Sequence, residues 1–150
     1  MQITDFLRPT AVIVGMSART KTEVLTEIAD LLARSSGLDG EDVHHVLAER
    51  EALASTGIGA GVALPHGRTG SLDRLVGVLA ITAHGVEFDA QDGQPVHIFV
   101  GLLGPQRTGD HLKALACVSR LLRQPEIRTR LIAAASASEA YGILTSEDGA

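Results

Sequence analysis

VHIFVGLL at residues 96–103 and LVGVLAIT at residues 75–82 are the strongest strand signals in this chain. Both are continuous apolar runs rich in β-branched side chains, and such runs are typical of strands buried on both faces. Between them, residues 89–93 read DAQDG, a composition typical of a turn. The pattern predicts two buried strands separated by a turn, and a first short strand is predicted at residues 11–16, AVIVGM.

Helix signals precede the two long strands. Thr20 and Glu23 form a capping-box pattern that predicts a helix ending at Gly37. Its apolar face comprises Val24, Ile28, Leu31 and Leu32. A second helix is predicted from about Asp39, and it carries Arg50. Its apolar positions are Val43, Val46, Leu47 and Leu53.

Three more helices are predicted after residue 103. Thr108 is expected to cap the third helix, Pro125 fits the first turn of a fourth, and Ser136 and Glu139 form a capping box for the last. The inner face of the third helix is predicted at Leu112, Leu115, Ala116, Ser119 and Leu122. Helices and strands mixed in this order indicate an α/β protein, with a sheet covered by helices in one domain over residues 1–150.

Composition and charge exclude several classes of function. The chain has 150 residues, of which 45% are hydrophobic, and its net charge of −5 disfavours a nucleic-acid binder. Cys117 is its only cysteine, which fits a reducing compartment. The first residues lack the pattern of a secretory signal, and the apolar runs are too short to span a bilayer. We therefore expect a cytoplasmic protein without direct membrane insertion.

The segment STGIGAGVALPHGR at residues 55–68 carries the clearest functional signal. It places His66 between Pro65 and Gly67, with Arg68 two residues further on. Proline fixes the backbone before the imidazole, and glycines allow main-chain amides to come close to a bound group. A neutral imidazole with cationic neighbours and free N–H groups is suited to hold a phosphoryl group. The alternative is that His66 lies in a structural turn.

Two other residues are candidates for the same site, and each also has an explanation without a functional role. His111 is predicted in the first turn of the third helix, where the helix end disfavours imidazolium and attracts anions; histidines also occur there without a role. Arg50 stands between two glutamates, which favours a solvated helix face with weak ion pairs. Its functional alternative is a planar donor to phosphoryl oxygens.

Other kinds of site have weaker signals. The glycines at 57, 59 and 61 lack the full spacing of a dinucleotide loop, and the sequence contains no Gly-Lys-Ser/Thr phosphate loop for ATP. His44, His45, His84 and His97 show no repeated metal-ligand spacing. We therefore predict no metal and no cofactor. Cys117 is expected to be buried and unreactive, and His97 to be a hydrogen-bonded strand residue.

Taken together, these segments resemble the phosphotransferase-system EIIA proteins of the fructose/mannitol class, in their nitrogen-regulatory branch. The resemblance covers nearly the whole chain. The matching segments are residues 49–51 (ERE), 55–59 (STGIG), 62–68 (VALPHGR), 88–96 (FDAQDGQPV) and 111–115 (HLKAL). The resemblance implies one type-2 EIIA domain over residues 1–150, with a mixed β-sheet flanked by helices on both faces.

The resemblance also implies roles for individual residues. His66 would be phosphorylated at Nε2 by a histidine phosphocarrier of the HPr or NPr type. His111 would be the second active-site histidine and Arg50 the active-site arginine. We assign Gly57, Gly59 and Gly61 as main-chain donors to the phosphoryl group, and Arg68 as a further donor or a contact for an acidic partner. His97 departs from the family pattern, which has an acidic residue there, and could change the charge beside the site.

The function predicted on this basis is that of a phosphocarrier rather than an autonomous turnover enzyme. Its phosphorylation state would regulate partner proteins. Two alternatives stay open from the sequence: a transport component that passes phosphate to a separate EIIB subunit, and a protein-binding module that works without phosphate.

Overall fold

A mixed sheet of six strands lies at the centre of the computed structural model, which describes residues 1–106 and 109–148. The strands are β1 (Leu7–Val14), β2 (Gly57–Gly59), β3 (Val62–Ala63), β4 (His66–Arg68), β5 (Val76–Val86) and β6 (Val96–Gly104). The two long strands were predicted and are confirmed, although β5 extends four residues beyond the predicted end at Thr82. The first strand is also confirmed in kind, but it begins at Leu7 rather than Ala11.

Five α-helices accompany the sheet within the described residues. They are α1 (Lys21–Ser36), α2 (Gly40–Leu53), α3 (Asp110–Leu122), α4 (Pro125–Ile132) and α5 (Ala137–Ser146). The predicted capping box of α1 is present, because Thr20 accepts from the Glu23 amide and Glu23 reaches back. The helix α2 begins near Asp39, as predicted, and Asp39 caps it. Ser136 caps α5 as predicted, but the return contact of the capping box is absent, because Glu139 accepts from the Ala135 amide. None of the helices in these parts of the chain combines the length and apolarity needed to cross a membrane.

The strand order explains how the short strands are held. The sheet runs β1-β5-β6-β3-β2, and β4 also pairs with β6. β5 and β6 are antiparallel, whereas β3 and β4 both pair with β6 in parallel, Val62 opposite Ile98 and His66 opposite Leu102. One edge of β6 therefore carries two short strands in succession. These short strands were not predicted from the sequence, since two or three residues give no periodic signal.

Helices cover both faces of the sheet, which confirms the predicted fold class. α1 packs on β5 and β6, with α2 beside it. At Gly101 a Cβ atom would lie 2.6 Å from Ile28 Cγ2, so the absence of a side chain there lets α1 approach the sheet. α3 contacts β6, α4 contacts β5 and β6, and α5 contacts β1. A core of mostly aliphatic side chains, together with Phe6, Phe88 and Phe99, fills the space between these layers.

The predicted inner face of α3 is wrong except at Leu122, which is buried as predicted. Leu112 is 64% exposed, and the buried positions are His111, Ala114, Cys117, Val118, Leu121 and Leu122. The helix begins at Asp110 with Gly109 at its N-cap position, and the predicted cap, Thr108, lies outside the described residues. Two apolar stripes one position apart are possible in this helix, and packing against β6 selects the one that turns His111 inward. The prediction that Cys117 is buried is confirmed.

Two glycine substitutions test the packing of α1 on the sheet. Gly101→Ala should lower the free energy of unfolding by about 1–3 kcal/mol, because its methyl group would overlap Ile28 and Val78. Gly142→Ala is the matched control in α5, where nothing lies within 4 Å of an added Cβ. It should raise stability by about 0.5–1 kcal/mol through helix propensity. Urea titrations measure both, and equal stability of the two variants would refute this account of the layer contact.

Candidate active site

Two histidines from distant parts of the chain meet at one end of β6. The ring centroids of His66 and His111 are 5.1 Å apart, with the planes tilted by 52°. Both rings line an open cavity of about 430 Å³ together with Arg50 and Arg68. The other lining residues are Val46, Glu49, Leu53, Gly67, Leu112 and Leu115. Four of the predicted site residues therefore share one cavity, although they come from α2, β4 and α3.

The backbone fixes the proton on the His66 ring. Nδ1 of His66 lies 2.7 Å from the carbonyl oxygen of Leu64. A carbonyl oxygen only accepts, so we assign the ring proton to Nδ1, which donates to Leu64. Nε2 then carries the free lone pair. The loop is held from the other side as well, because the Leu102 amide donates to the Pro65 carbonyl at 3.0 Å.

His66 is held in its neutral form. Burial lowers the pKa of the imidazole below its ordinary value, and the positive charges of Arg50 and Arg68 lower it further. The hydrogen bond to the Leu64 carbonyl and the charge of Glu51 act in the opposite direction without reversing the shift. A neutral ring with an unprotonated Nε2 is the state in which histidine acts as a nucleophile.

Gly67 brings Arg50 to the cavity. A Cβ at Gly67 would lie 2.2 Å from Val46 Cγ1, so only glycine lets α2 lie this close to β4. The sequence had suggested instead that this glycine opens space for a bound group. Arg50 is in the last turn of α2 and donates from Nη1 to the Ala54 carbonyl at 2.8 Å.

The two glutamates beside Arg50 pair elsewhere. Glu49 lies 3.2 Å from His45, and Glu51 lies 3.0 Å from Lys21 Nζ. The structure therefore does not support the alternative in which Arg50 is engaged by its neighbouring carboxylates.

His111 is buried and neutral. It is 2% exposed, and burial lowers its pKa to about 4, together with repulsion between the two imidazoles when both are protonated and with the charge of Arg68. The neutral form agrees with the sequence expectation, but burial rather than the helix end is its main cause. Nδ1 of His111 is buried without a hydrogen-bond partner among the described residues. A buried lone pair is less costly to leave unpaired than a buried N–H, so we assign the proton to Nε2.

Gly104 makes room for the His111 ring. A Cβ at this position would lie 3.0 Å from His111 Nδ1 and 3.0 Å from Leu75 Cδ2. Both contacts are tighter than ordinary van der Waals separation, so a side chain here would push the imidazole out of its position at the end of β6. No local pattern in the sequence indicates this requirement, since it depends on which strand end meets the first turn of α3.

The structure does not bring the predicted glycines to the cavity. Gly57 lies against Ala90, Gly59 against Asp92, and Gly61 near Pro95 and His97. Gly59 and Gly61 have φ of 99° and 79°, which serve the turn between β2 and β3. Their assignment as phosphoryl donors has no support in this geometry. The segment forms a small hairpin rather than an anion-binding loop: the Gly57 amide donates to Ser55 Oγ, and the Ala60 amide at the turn donates to Asp92 Oδ2.

His97 also lies away from the cavity. Its Nδ1 donates to the Thr82 carbonyl at 3.0 Å, which agrees with the predicted hydrogen-bonded strand residue. It is packed near Gly61 and Gly85, so the expectation that it changes the charge beside the site is not supported. Within the described residues, no group of three or more His, Cys, Asp or Glu side chains is arranged to hold a metal ion.

The chain belongs to the EIIA 2 family of the phosphoenolpyruvate-dependent sugar phosphotransferase system, whose family model matches residues 5–147. This confirms the family predicted from the sequence. The chain is 39% identical over 145 residues to a nitrogen regulatory protein of Bradyrhizobium diazoefficiens, covering 96% of this chain and 95% of that protein. It is 38% identical over 133 residues to the nitrogen regulatory protein of Escherichia coli, covering 87% and 82%.

Solved structures of this family share the fold. The nitrogen regulatory protein IIA-Ntr of Neisseria meningitidis superposes with a TM-score of 0.89 at 38% identity, covering 95% of this chain and 99% of that one. The mannitol IIA protein of Escherichia coli superposes with a TM-score of 0.78 at 22% identity, covering 91% and 97%. The mixed sheet flanked by helices is therefore the architecture of these proteins, and the nitrogen-regulatory relatives agree with the predicted branch.

The burial of neutral His111 predicts a pH dependence of stability. In the unfolded chain this ring takes up a proton near its ordinary pKa of 6.5, whereas in the folded protein its pKa is about 4. The unfolded state therefore binds more protons between these values, and stability falls as the pH decreases from 6.5 to 4. The complete loss of unfolding free energy due to this ring, reached once the pH falls below its folded-state pKa, is about 3 kcal/mol.

Denaturant titrations of wild type and His111→Gln between pH 7 and pH 4 measure this contribution. The variant should lose less stability over this range, because it lacks the ring that protonates on unfolding. His45→Gln, at an exposed position of α2, is the control and should follow wild type. Parallel pH profiles of wild type and His111→Gln would contradict the assignment.

Proposed function

We propose that this chain is a phosphohistidine protein of a phosphotransferase-system relay, which accepts a phosphoryl group on Nε2 of His66 from an HPr- or NPr-type carrier. The observation that carries the proposal is the hydrogen bond from Nδ1 of His66 to the Leu64 carbonyl. It leaves Nε2 unprotonated in an open cavity that Arg50, Arg68 and His111 also line. Family membership supplies the class of reaction.

The transfer step needs little from the protein beyond position and charge. The lone pair on Nε2 of His66 forms the new N–P bond while the N–P bond in the carrier breaks, and the carrier imidazole takes back its electron pair. The ring proton stays on Nδ1, donated to Leu64. Negative charge on the phosphoryl oxygens would be met by Arg50, Arg68 and the Nε2–H of His111. The first two already stand close enough to lower the pKa of His66.

An apolar rim around the cavity supports docking of a protein carrier. Leu53 is 83% exposed and Leu112 is 64% exposed, and both line the same cavity as His66. Large apolar side chains at this exposure are typical of surfaces that become covered by a partner. We place the carrier on this rim, with its phosphohistidine directed at Nε2 of His66.

The output we propose is regulatory. Phosphorylation would replace a neutral imidazole with a group of about two negative charges at the mouth of the cavity. This change would favour some protein partners and repel others. The nitrogen regulatory proteins at 39% and 38% identity support this output. A fructose-specific EIIABC component of Bacillus subtilis is 29% identical, which makes onward transfer to an EIIB subunit the second candidate.

The relay is tested by intact mass after incubation with phosphoenolpyruvate, Enzyme I and a histidine phosphocarrier. Wild type should gain one acid-labile phosphoryl group, and His66→Ala should gain none while keeping its fold. His111→Ala should still accept phosphate but more slowly, by about 10²-fold, because it loses one donor to the transferred group. Phosphate on His66→Ala would place the site elsewhere. A lack of phosphate on wild type with every carrier would favour a phosphate-independent binding module.

The apolar rim gives a separate prediction. Leu112→Glu should raise the carrier concentration for half-maximal rate by about tenfold and leave the maximal rate near wild type, because docking is weakened and not the chemistry. Ile58→Glu is the matched control, since Ile58 is also exposed but lies on β2 away from this cavity. Steady-state transfer rates measure both. Equal effects of the two substitutions would remove the rim from the docking surface.

Adding a purified EIIB subunit to the phosphorylated protein separates the two outputs. Retention of phosphate on His66 together with phosphorylation-dependent capture of a partner would support regulation. Rapid loss of phosphate to the EIIB subunit would support the transport alternative.

A further inference from the structure

The buried carboxylate of Glu51 lies one residue from Arg50 and is not among the groups assigned to the transfer step. The side chain of Glu51 is 4% exposed and lies 3.0 Å from Lys21 Nζ. Its Oε1 accepts from the Thr56 amide at 3.0 Å, and its Oε2 accepts from the Thr56 hydroxyl at 2.6 Å. Burial of an ionised carboxylate is costly unless it is paired and hydrogen-bonded, and here both conditions are met.

Thr56 connects this carboxylate to the His66 loop. The carbonyl oxygen of Thr56 accepts from the Leu64 amide at 3.0 Å. The carbonyl of that same residue, Leu64, accepts from Nδ1 of His66 at 2.7 Å. A continuous series of hydrogen bonds therefore runs from Lys21 through Glu51, Thr56 and Leu64 to the imidazole. The Glu51 carboxylate contacts both Lys21 and Thr56. Thr56 and Leu64 each contact the previous residue through one polar group and the next residue through another.

The same contact fixes the position of Arg50. Residues 54–56 form a short loop at the end of α2, and the Glu51–Thr56 hydrogen bonds tie this loop back to the last turn of the helix. Ala54 lies within this loop, and its carbonyl accepts from Arg50 Nη1 at 2.8 Å. Loosening the loop would therefore release two groups of the cavity at once: the carbonyl that orients His66 and the carbonyl that holds Arg50.

We propose that Glu51 is a positioning residue for phosphoryl acceptance, which acts through Thr56 to hold the Leu64 carbonyl against Nδ1 of His66 and the Ala54 carbonyl against Arg50. The acceptance step rests on the proposed function, but the placement of the ring proton does not. In this role Glu51 determines which ring nitrogen of His66 carries the proton and which one is unprotonated. Without it, the Leu64 peptide can turn away, and the proton can move to Nε2, where it blocks the nucleophile.

Nitrogen NMR of the histidine rings reads this role directly, because Nδ1–H and Nε2–H forms have different ¹⁵N shifts. The test variant is Glu51→Ala, which removes both acceptors. Glu51→Gln is the conservative variant, since its amide oxygen can still accept from Thr56. Glu41→Gln removes the same charge from an exposed position at the start of α2 and is the matched control. Thr56→Val removes only the hydroxyl contact and serves if Glu51→Ala does not fold.

Wild type and Glu41→Gln should show His66 with its proton on Nδ1 and equal rates of phosphoryl acceptance. Glu51→Ala should show a mixture of the two forms and accept phosphate about tenfold more slowly. Glu51→Gln should restore most of both, and Thr56→Val should show the same change to a smaller extent. The proposal would be overturned if Glu51→Ala folds and the His66 proton stays on Nδ1, whatever the rate of phosphoryl acceptance. If Glu51→Ala does not fold, the same result for Thr56→Val would overturn it.

Failure of the proposed function would look different. If wild type accepts no phosphate from any carrier, the relay is wrong, yet the ring spectra still decide whether Glu51 orients His66. If wild type accepts phosphate and Glu51→Ala is slow with unchanged ring spectra, the relay stands and the positioning role of Glu51 is wrong.

Discussion

The pairing of β6 with two short strands in succession places most of the functional groups of this protein. β3 and then β4 are hydrogen-bonded along one edge of β6, while β5 holds its other edge. This arrangement sets His66 opposite Leu102 at a buried strand that cannot move without opening the core. α3 follows the same end of β6 and delivers His111 there. α2 approaches β4 across Gly67 and delivers Arg50.

The electrostatics of the cavity follow from this packing. Burial lowers the pKa of both histidines, and the arginines beside them act in the same direction. Although the chain has a net charge of −5, its cavity is lined by two neutral imidazoles and two permanent cations, together with one carboxylate, Glu49, which lies 3.2 Å from His45. Such a site favours an anion over a cation, because the ring nitrogens are uncharged and the remaining donors are positive. The hydrogen bond from Nδ1 of His66 to the Leu64 carbonyl adds to this by leaving Nε2 as the unprotonated ring nitrogen.

Much of this could be predicted from the sequence, and the failures have identifiable causes. Local composition and the family resemblance both predict His66, whereas only the resemblance predicts Arg50, whose neighbouring glutamates favour a solvated position; both residues line the cavity with His111. The glycines at 57, 59 and 61 carry the signal of an anion-binding loop, yet they form a hairpin that packs against residues 90–97, away from the cavity. Glu51 reads as a solvated neighbour of Arg50, since nothing in the sequence reveals that its carboxylate is buried.

The long elements can be read from the sequence: continuous apolar runs rich in β-branched residues indicate buried strands, and capping residues mark where α1, α2 and α5 begin. These signals are local, since each depends on residues within a few positions of one another. Only the tertiary structure decided which face of α3 is buried, which groups surround His66, and which ring nitrogen carries the proton. These depend on contacts between residues far apart in the chain, such as Thr82 with His97 or Gly104 with His111. Packing selects such contacts from alternatives that local preferences leave nearly equal in energy.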